Sequence, residues 1–307
     1  MLGGFCFFAC TVCDINKEKD SKEYKDMKVY IMTDMEGCAG IINRADWVLN
    51  DSKYYEEGKI LLTEEVNAAV DGLFSAGATE ILVADGHGYG AINLMKLDPR
   101  VRLQRGFPDP WPFGLDETFD CMCHIGQHAK ASTEKAHICH TGNHYVIDRA
   151  INGVSVGEFG EMVYCAEELK VTPIFASGDL AFTKEAQDLV EGIVTVSVKE
   201  GLMTGKGLDK TFEETINRNI AAIHLHPLKA RELIRNGAYS ALRKFIENPE
   251  SFKIKKPIRP PYECITRYRP GKDRSACTTV QRHENSVIGL LNAKAERTEG
   301  VDLSDLL

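Results

Sequence analysis

Asp34, Glu36, His87, His128 and Glu158 are carboxylates and imidazoles, the side chains that hold divalent cations through oxygen and nitrogen. Each falls at the end of a predicted strand or the start of a predicted helix in the first half of the chain. Asp34 and Glu36 flank Met35, so continued strand geometry would point both carboxylates the same way. Two like charges that close are costly unless a cation neutralises them. His87 lies between Gly86 and Gly88, which let the backbone bend towards a ligand, and Asp85 could orient a histidine. His128 follows Gly126-Gln127, and Glu158 follows Gly157 at a first helical turn. Taken singly, each residue has an ordinary explanation: a turn aspartate, a solvated glutamate, a loop histidine, a carboxylate at a helix N-terminus. Taken together at one sheet edge, they suit two divalent cations, most simply zinc, and metal-assisted hydrolysis. His140 is the candidate for proton transfer or transition-state stabilisation, against the alternative of a surface histidine in a polar loop. His124, inside a predicted strand, reads as a core or partner residue, and His137 and His144 carry no assigned role.

The elements that must position these residues follow from hydrophobic spacing. Lys28 to Thr33, Glu80 to Ala84, Val101 to Leu103 and Cys121 to Ile125 read as strands. Residues 55 to 76 have helical spacing and end at Gly77. Tyr145 to Val156 reads as a hairpin turning at Asn152-Gly153, and a helix then runs from Glu158 to about Leu169. Pro173 to Ala176 and Ile193 to Val198 are further strands, with a helix after Gly178-Asp179. Beyond residue 200, helices are expected over 208 to 222 and 227 to 246, and strands near Glu263 to Tyr268 and Thr278 to Arg282. Strand and helix alternate, so the fold class is α/β: a largely parallel sheet flanked by helices, with a smaller C-terminal α/β subdomain. Such sheets bind ligands outside the carboxyl ends of their strands. The expected organisation is an N-terminal extension over 1–26, a metal-binding catalytic domain over 27–200 and a C-terminal subdomain over 201–307.

Composition narrows the class of function. The chain has 307 residues, 43% hydrophobic and 27% charged, with a formal net charge of -8 that disfavours a nucleic-acid partner. No apolar run approaches the ~20 residues needed to span a bilayer. Residues 1–26 pass from an apolar, cysteine-rich stretch to a charged one without a basic segment ahead of Leu2, and read as a disordered extension. The ten cysteines show no disulfide or zinc-ribbon spacing, and Cys121 and Cys123 share one strand face as small hydrophobes. A reducing compartment, and hence a cytoplasmic protein, is the expectation.

The order Thr33-Asp34-Met35-Glu36-Gly37, Asp85-Gly86-His87, Gly126-Gln127-His128-Ala129, His140 and Val156-Gly157-Glu158 resembles the D-aminopeptidase family of dipeptide-transport operons, which are zinc metallopeptidases. The resemblance runs from about Lys28 to about Glu200 and thins in the C-terminal third. It implies two zinc ions per subunit bound by Asp34, Glu36, His87, His128 and Glu158, with Asp34 bridging and His140 catalytic. Cys139 and His140 compete for that last position, and the histidine is the chemically sensible choice. The resemblance further implies a homodecamer and short peptide substrates with N-terminal D-amino acids, of the D-Ala-D-Ala type. The expected chemistry is amide hydrolysis by a metal-activated water. The alternatives are another dinuclear hydrolase (an amidase or phosphoesterase) and a non-catalytic metal- or peptide-binding protein.

Overall fold

A computed structural model describes residues 26–306. The expected N-terminal extension therefore lies, apart from Asp26, outside the described residues. The elements in chain order are β1 (Lys28–Thr33), α1 (Arg44–Trp47), α2 (Tyr55–Ala76), β2 (Glu80–Asp85), β3 (Arg102–Gln104), β4 (Cys121–Gln127), β5 (Val146–Ile151), β6 (Val154–Ser155), α3 (Glu158–Leu169), β7 (Thr172–Asp179), α4 (Leu180–Leu189), β8 (Val190–Glu191), β9 (Val194–Gly201), α5 (Phe212–Thr215), β10 (Ala222–His224), α6 (Pro227–Glu247), β11 (Lys253–Ile254), β12 (Tyr262–Tyr268), β13 (Cys277–His283), α7 (Val287–Asn292) and β14 (Glu296–Glu299).

The main sheet has seven strands in the order β10-β9-β7-β4-β1-β2-β3. All neighbours pair in parallel except β10, which runs antiparallel to β9 at the edge. From β1 the chain steps outward through β2 and β3, then returns to β4 on the other side of β1. The order reverses at that point, and the crevice outside the strand ends there is where α/β sheets bind ligands.

Helices cover both faces, so the central strands are apolar on both sides. Val29, Ile31, Cys121, Cys123 and Ile125 face one core with Val66, Val70 and Leu73 of α2 and Ile234, Ala238 and Leu242 of α6. Tyr30, Met32 and Met122 face the opposite core, with Phe159, Met162 and Val163 of α3 and Phe182 and Ala186 of α4. The alternation along β1 is the two-residue period of a strand, and it places Cys121 and Cys123 together as expected. The seven cysteines among the described residues are all free and buried. Helix α2 ends at Gly77, whose φ of 118° is left-handed.

A second, antiparallel sheet has the order β14-β13-β12-β5-β6. Strands β5 and β6 are the hairpin expected at Asn152-Gly153, both of which have positive φ, as this tight turn requires. Residues after 200 contribute to both sheets: β10 extends the first, against which α6 packs, and β12 to β14 belong to the second.

The helix expected over 208–222 is a correction. Only Phe212–Thr215 is helical, held by a capping box between Thr211 and Glu214. Beyond it, tertiary hydrogen bonds override local propensity. Arg218 donates to Thr204 O and Gly205 O, and Asn219 O accepts from Ile138 N before the chain enters β10.

Candidate metal centre

The five predicted ligands converge outside the carboxyl ends of β1, β2 and β4. Asp34 and Glu36 follow β1, His87 follows β2, His128 follows β4, and Glu158 opens α3. Asp34, Glu36, His87 and His128 are all buried. Their convergence depends on how closely the backbones approach. Gly37 N donates to Gly126 O, and a Cβ on Gly37 would collide with the Gln127 carbonyl. Gly126 has φ +75°, and its missing side chain leaves room for the Asp34 carbonyl.

The geometry divides the ligands into two groups. His87 Nδ1 lies 3.2 Å from Asp34 Oδ1 and 3.1 Å from Glu36 Oε2. His128 Nε2 lies 3.2 Å from Asp34 Oδ2 and 3.5 Å from Glu158 Oε2. The two oxygens of Asp34 thus face different partners, and its carboxylate lies between the groups. The far nitrogen of each imidazole meets a backbone carbonyl. His87 Nε2 is 3.2 Å from Val48 O, and His128 Nδ1 is 2.8 Å from Ala129 O. Those contacts orient the rings and leave His87 Nδ1 and His128 Nε2 directed at the carboxylates. Asp85 does not orient His87; it accepts from Ala91 N and Ile92 N and shapes the loop beyond.

The electrostatics are those of a site short of positive charge. Burial, then the Glu36 carboxylate, pushes Asp34 up to about 7. Burial would lift Glu36 too, but His87 outweighs it and holds that carboxyl well below its usual range. Burial depresses His87 and His128, yet the surrounding carboxylates raise both well above 6.5. Protons on these imidazoles do the neutralising that cations would do. Glu36 Oε2 and His128 Nε2 are buried, and their contacts with His87 and Asp34 lack the alignment of a hydrogen bond. Ligand-type atoms buried among carboxylates and imidazoles and left so poorly paired fit bound cations better than a hydrogen-bond network. Asp34, Glu36 and His87 form one such group, and His128, His140 and Glu158 another, with ligand atoms inside each within 4.8 Å of one another.

His140 stands beside this centre. Its ring stacks on His128 at 4.0 Å and on His144 at 4.5 Å. Nδ1 is 3.1 Å from Ile138 O, and Nε2 is 3.8 Å from Glu158 Oε1. Burial, then His128, lowers its basicity, so the ring is neutral.

Several contributors escaped the sequence reading. Gln127 donates to Asp34 Oδ2 at 3.2 Å and to Glu158 Oε2 at 3.1 Å, tying the two carboxylates together. Its place beside His128 was the available signal. His144 reaches the site by stacking alone. Lys199, which with Asp179 and Arg274 the sequence offers as a possible contributor to the pocket wall, donates from Nζ to the carbonyls of Glu36 and Ile41 and fixes the ligand loop from β9. Asp179 instead caps α4, and Arg274 lies over the Tyr145 ring. The centre opens into a cavity of about 540 Å³ walled by Trp111, Phe113, Tyr145 and Phe212, within the size range of small-molecule sites.

Fold and site together define an α/β protein with a buried carboxylate–imidazole cluster whose atoms could hold divalent cations. Residues 27–292 match the Peptidase M55 family, described as D-aminopeptidase. The chain is 34% identical over 239 residues to the D-aminopeptidase of Bacillus subtilis (strain 168), covering 76% of this chain and 78% of that one. It also resembles the solved structure of the Zn-dependent D-aminopeptidase DppA from Bacillus subtilis, a self-compartmentalizing protease. That match has a TM-score of 0.72 at 24% identity and covers 87% of this chain and 95% of that one. The chain belongs to the M55 family of D-aminopeptidases and is a peptide hydrolase.

Proposed function

We propose that the protein is a two-zinc aminopeptidase that removes N-terminal D-amino acids from short peptides of the D-Ala-D-Ala type. The observation that carries this reading is the Asp34 carboxylate, with one oxygen towards His87 and the other towards His128. Asp34, Glu36 and His87 would hold one ion and Asp34, His128 and Glu158 the other. The solved relative's zinc dependence supports the choice of metal. When bound, such ions lower the pKa of water towards neutrality and polarise the scissile carbonyl.

The chain's own residues supply the rest. The Ile138 carbonyl keeps a proton on His140 Nδ1, so the lone pair sits on Nε2, the atom turned towards Glu158. A neutral imidazole there accepts a proton and returns it to the departing amine. Gly142 N donates to Glu158 Oε1 at 2.7 Å and fixes that carboxylate. The aromatic walls give a short peptide apolar surface to pack against. A second reading makes His140 a ligand, because its ring lies within ligand reach of His128 and Glu158.

The test is hydrolysis of D-Ala-D-Ala and of matched D- and L-dipeptides, with and without a chelator. Activity is expected on the D-peptides, lost on chelation and restored by zinc. Chelator-insensitive turnover overturns the two-metal reading.

A further inference from the structure

Two polar side chains in the cavity wall have no work in the mechanism above. Glu161 is fully buried on α3, one turn beyond Glu158. Residues three apart share a helix face, and both glutamates line the cavity. Arg149, from β5, forms an ion pair with Glu161 Oε1, while Glu161 Oε2 has no hydrogen-bond partner. Arg149 is itself held by Thr266 Oγ1, 3.1 Å from its Nε. His124, from β4, also lines the cavity; it is buried edge-on against Phe159 with neither ring nitrogen hydrogen-bonded.

Buried polar atoms are normally paired, and an unpaired one is costly. What this wall lacks is specific. Arg149 already balances the charge of Glu161 and is already engaged. A carboxylate oxygen remains, with an imidazole that burial keeps neutral and able to accept a hydrogen bond. The complement is a compact cation with several N–H donors, a primary ammonium. An anion would meet Glu161 and Glu158 on the same helix face.

We propose that Glu161 Oε2 and His124 receive the α-ammonium of the substrate's N-terminal residue. The free N-terminus is then read at the cavity wall, beside the metal centre and not by the ions. This inference rests on the peptidase reading for its substrate. It adds a reason for stereoselectivity: with the ammonium at α3 and the carbonyl at the ligand cluster, the side chain has one remaining direction per enantiomer.

Calorimetry on the metal-loaded protein tests it with D-alaninol, which has the ammonium but no scissile bond. Its N,N,N-trimethyl derivative, which keeps the charge without N–H groups, and 1-propanol are the comparisons. D-alaninol is expected to bind tightest. Glu161→Gln should weaken it by about 10- to 100-fold, the effect of losing a charge-assisted hydrogen bond. Arg149→Met/Glu161→Gln, which leaves no unpaired charge, should weaken it similarly if the single variant fails to fold. Equal D-alaninol affinity in wild type and variants, as for an amine bound to metal, overturns the proposal. So does trimethyl binding as tight as that of D-alaninol in the wild-type protein. A protein that hydrolyses no peptide yet shows the Glu161-dependent binding would overturn the function above and leave this subsite standing.

Discussion

At the scale of single residues, the site separates side chains that set geometry from one that moves a proton. His140→Ala should lower kcat by about 10²- to 10⁴-fold, the usual share of a general acid–base group. Metal content by elemental analysis should stay at the wild-type level; its loss would transfer His140 to the ligand set. His137 has a different role. Burial, then Lys199 and His224, holds its pKa down at about 3, against 6.5 ordinarily. The unfolded chain takes up this proton as pH falls through 6.5, while the folded one does so only near 3. The stability due to the neutral ring is therefore whole above 6.5 and drains away between 6.5 and 3. His137→Gln keeps a donor for Ile42 O and removes that titration. The difference in melting between variant and wild type should move in the variant's favour by about 2 kcal/mol between pH 7.5 and 5. A constant difference would show that His137 does not titrate in this window. All five ligand-type residues and His140 could be found in the sequence because strand-end placement and motif order mark them. His144 and the Glu161–Arg149 pair could not, because their roles depend on which wall a side chain faces; Gln127 carried only the signal of its place beside His128.

At the scale of elements, the centre is possible because the ends of β1 and β4 nearly touch. Gly37→Ala would drive a methyl group into the Gln127 carbonyl. The expected cost is about 1–3 kcal/mol of stability, together with weaker metal binding, read by chelator titration. Unchanged values for both would mean that the loop has slack this packing does not show. The parallel core was legible because two-faced strands and one-faced helices leave different spacing in the sequence. The stretch from 208 to 222 was not, because its hydrogen bonds go to Gly205, Thr204 and Ile138, partners that local spacing does not reveal. The second sheet was hidden for a related reason. Its register joins β5 to β12 across more than a hundred residues.

At the scale of the whole molecule, we propose that the chain assembles into the homodecamer that the family resemblance implies; the solved relative is described as self-compartmentalizing. Light scattering should give a native mass about ten times that of one chain, consistent with a closed symmetric homo-oligomer. A monomer would overturn that assembly. Among the described residues no helix is long and apolar enough to cross a membrane. The crossing of β5 with β12 also has a bearing on synthesis. All five ligand-type residues have been synthesised once Glu158 is added, but the strand that pins β5, and with it Arg149, is completed only at Tyr268. At translation rates of about 5–20 residues per second, that gap of roughly a hundred residues lasts about 5–20 s. During this interval β5 and Arg149 lack the strand that fixes them, although β1, β2, β4 and the start of α3, which carry the ligand-type residues, have been made. The wall that holds Arg149 against Glu161 is therefore the last part of the cavity to be completed.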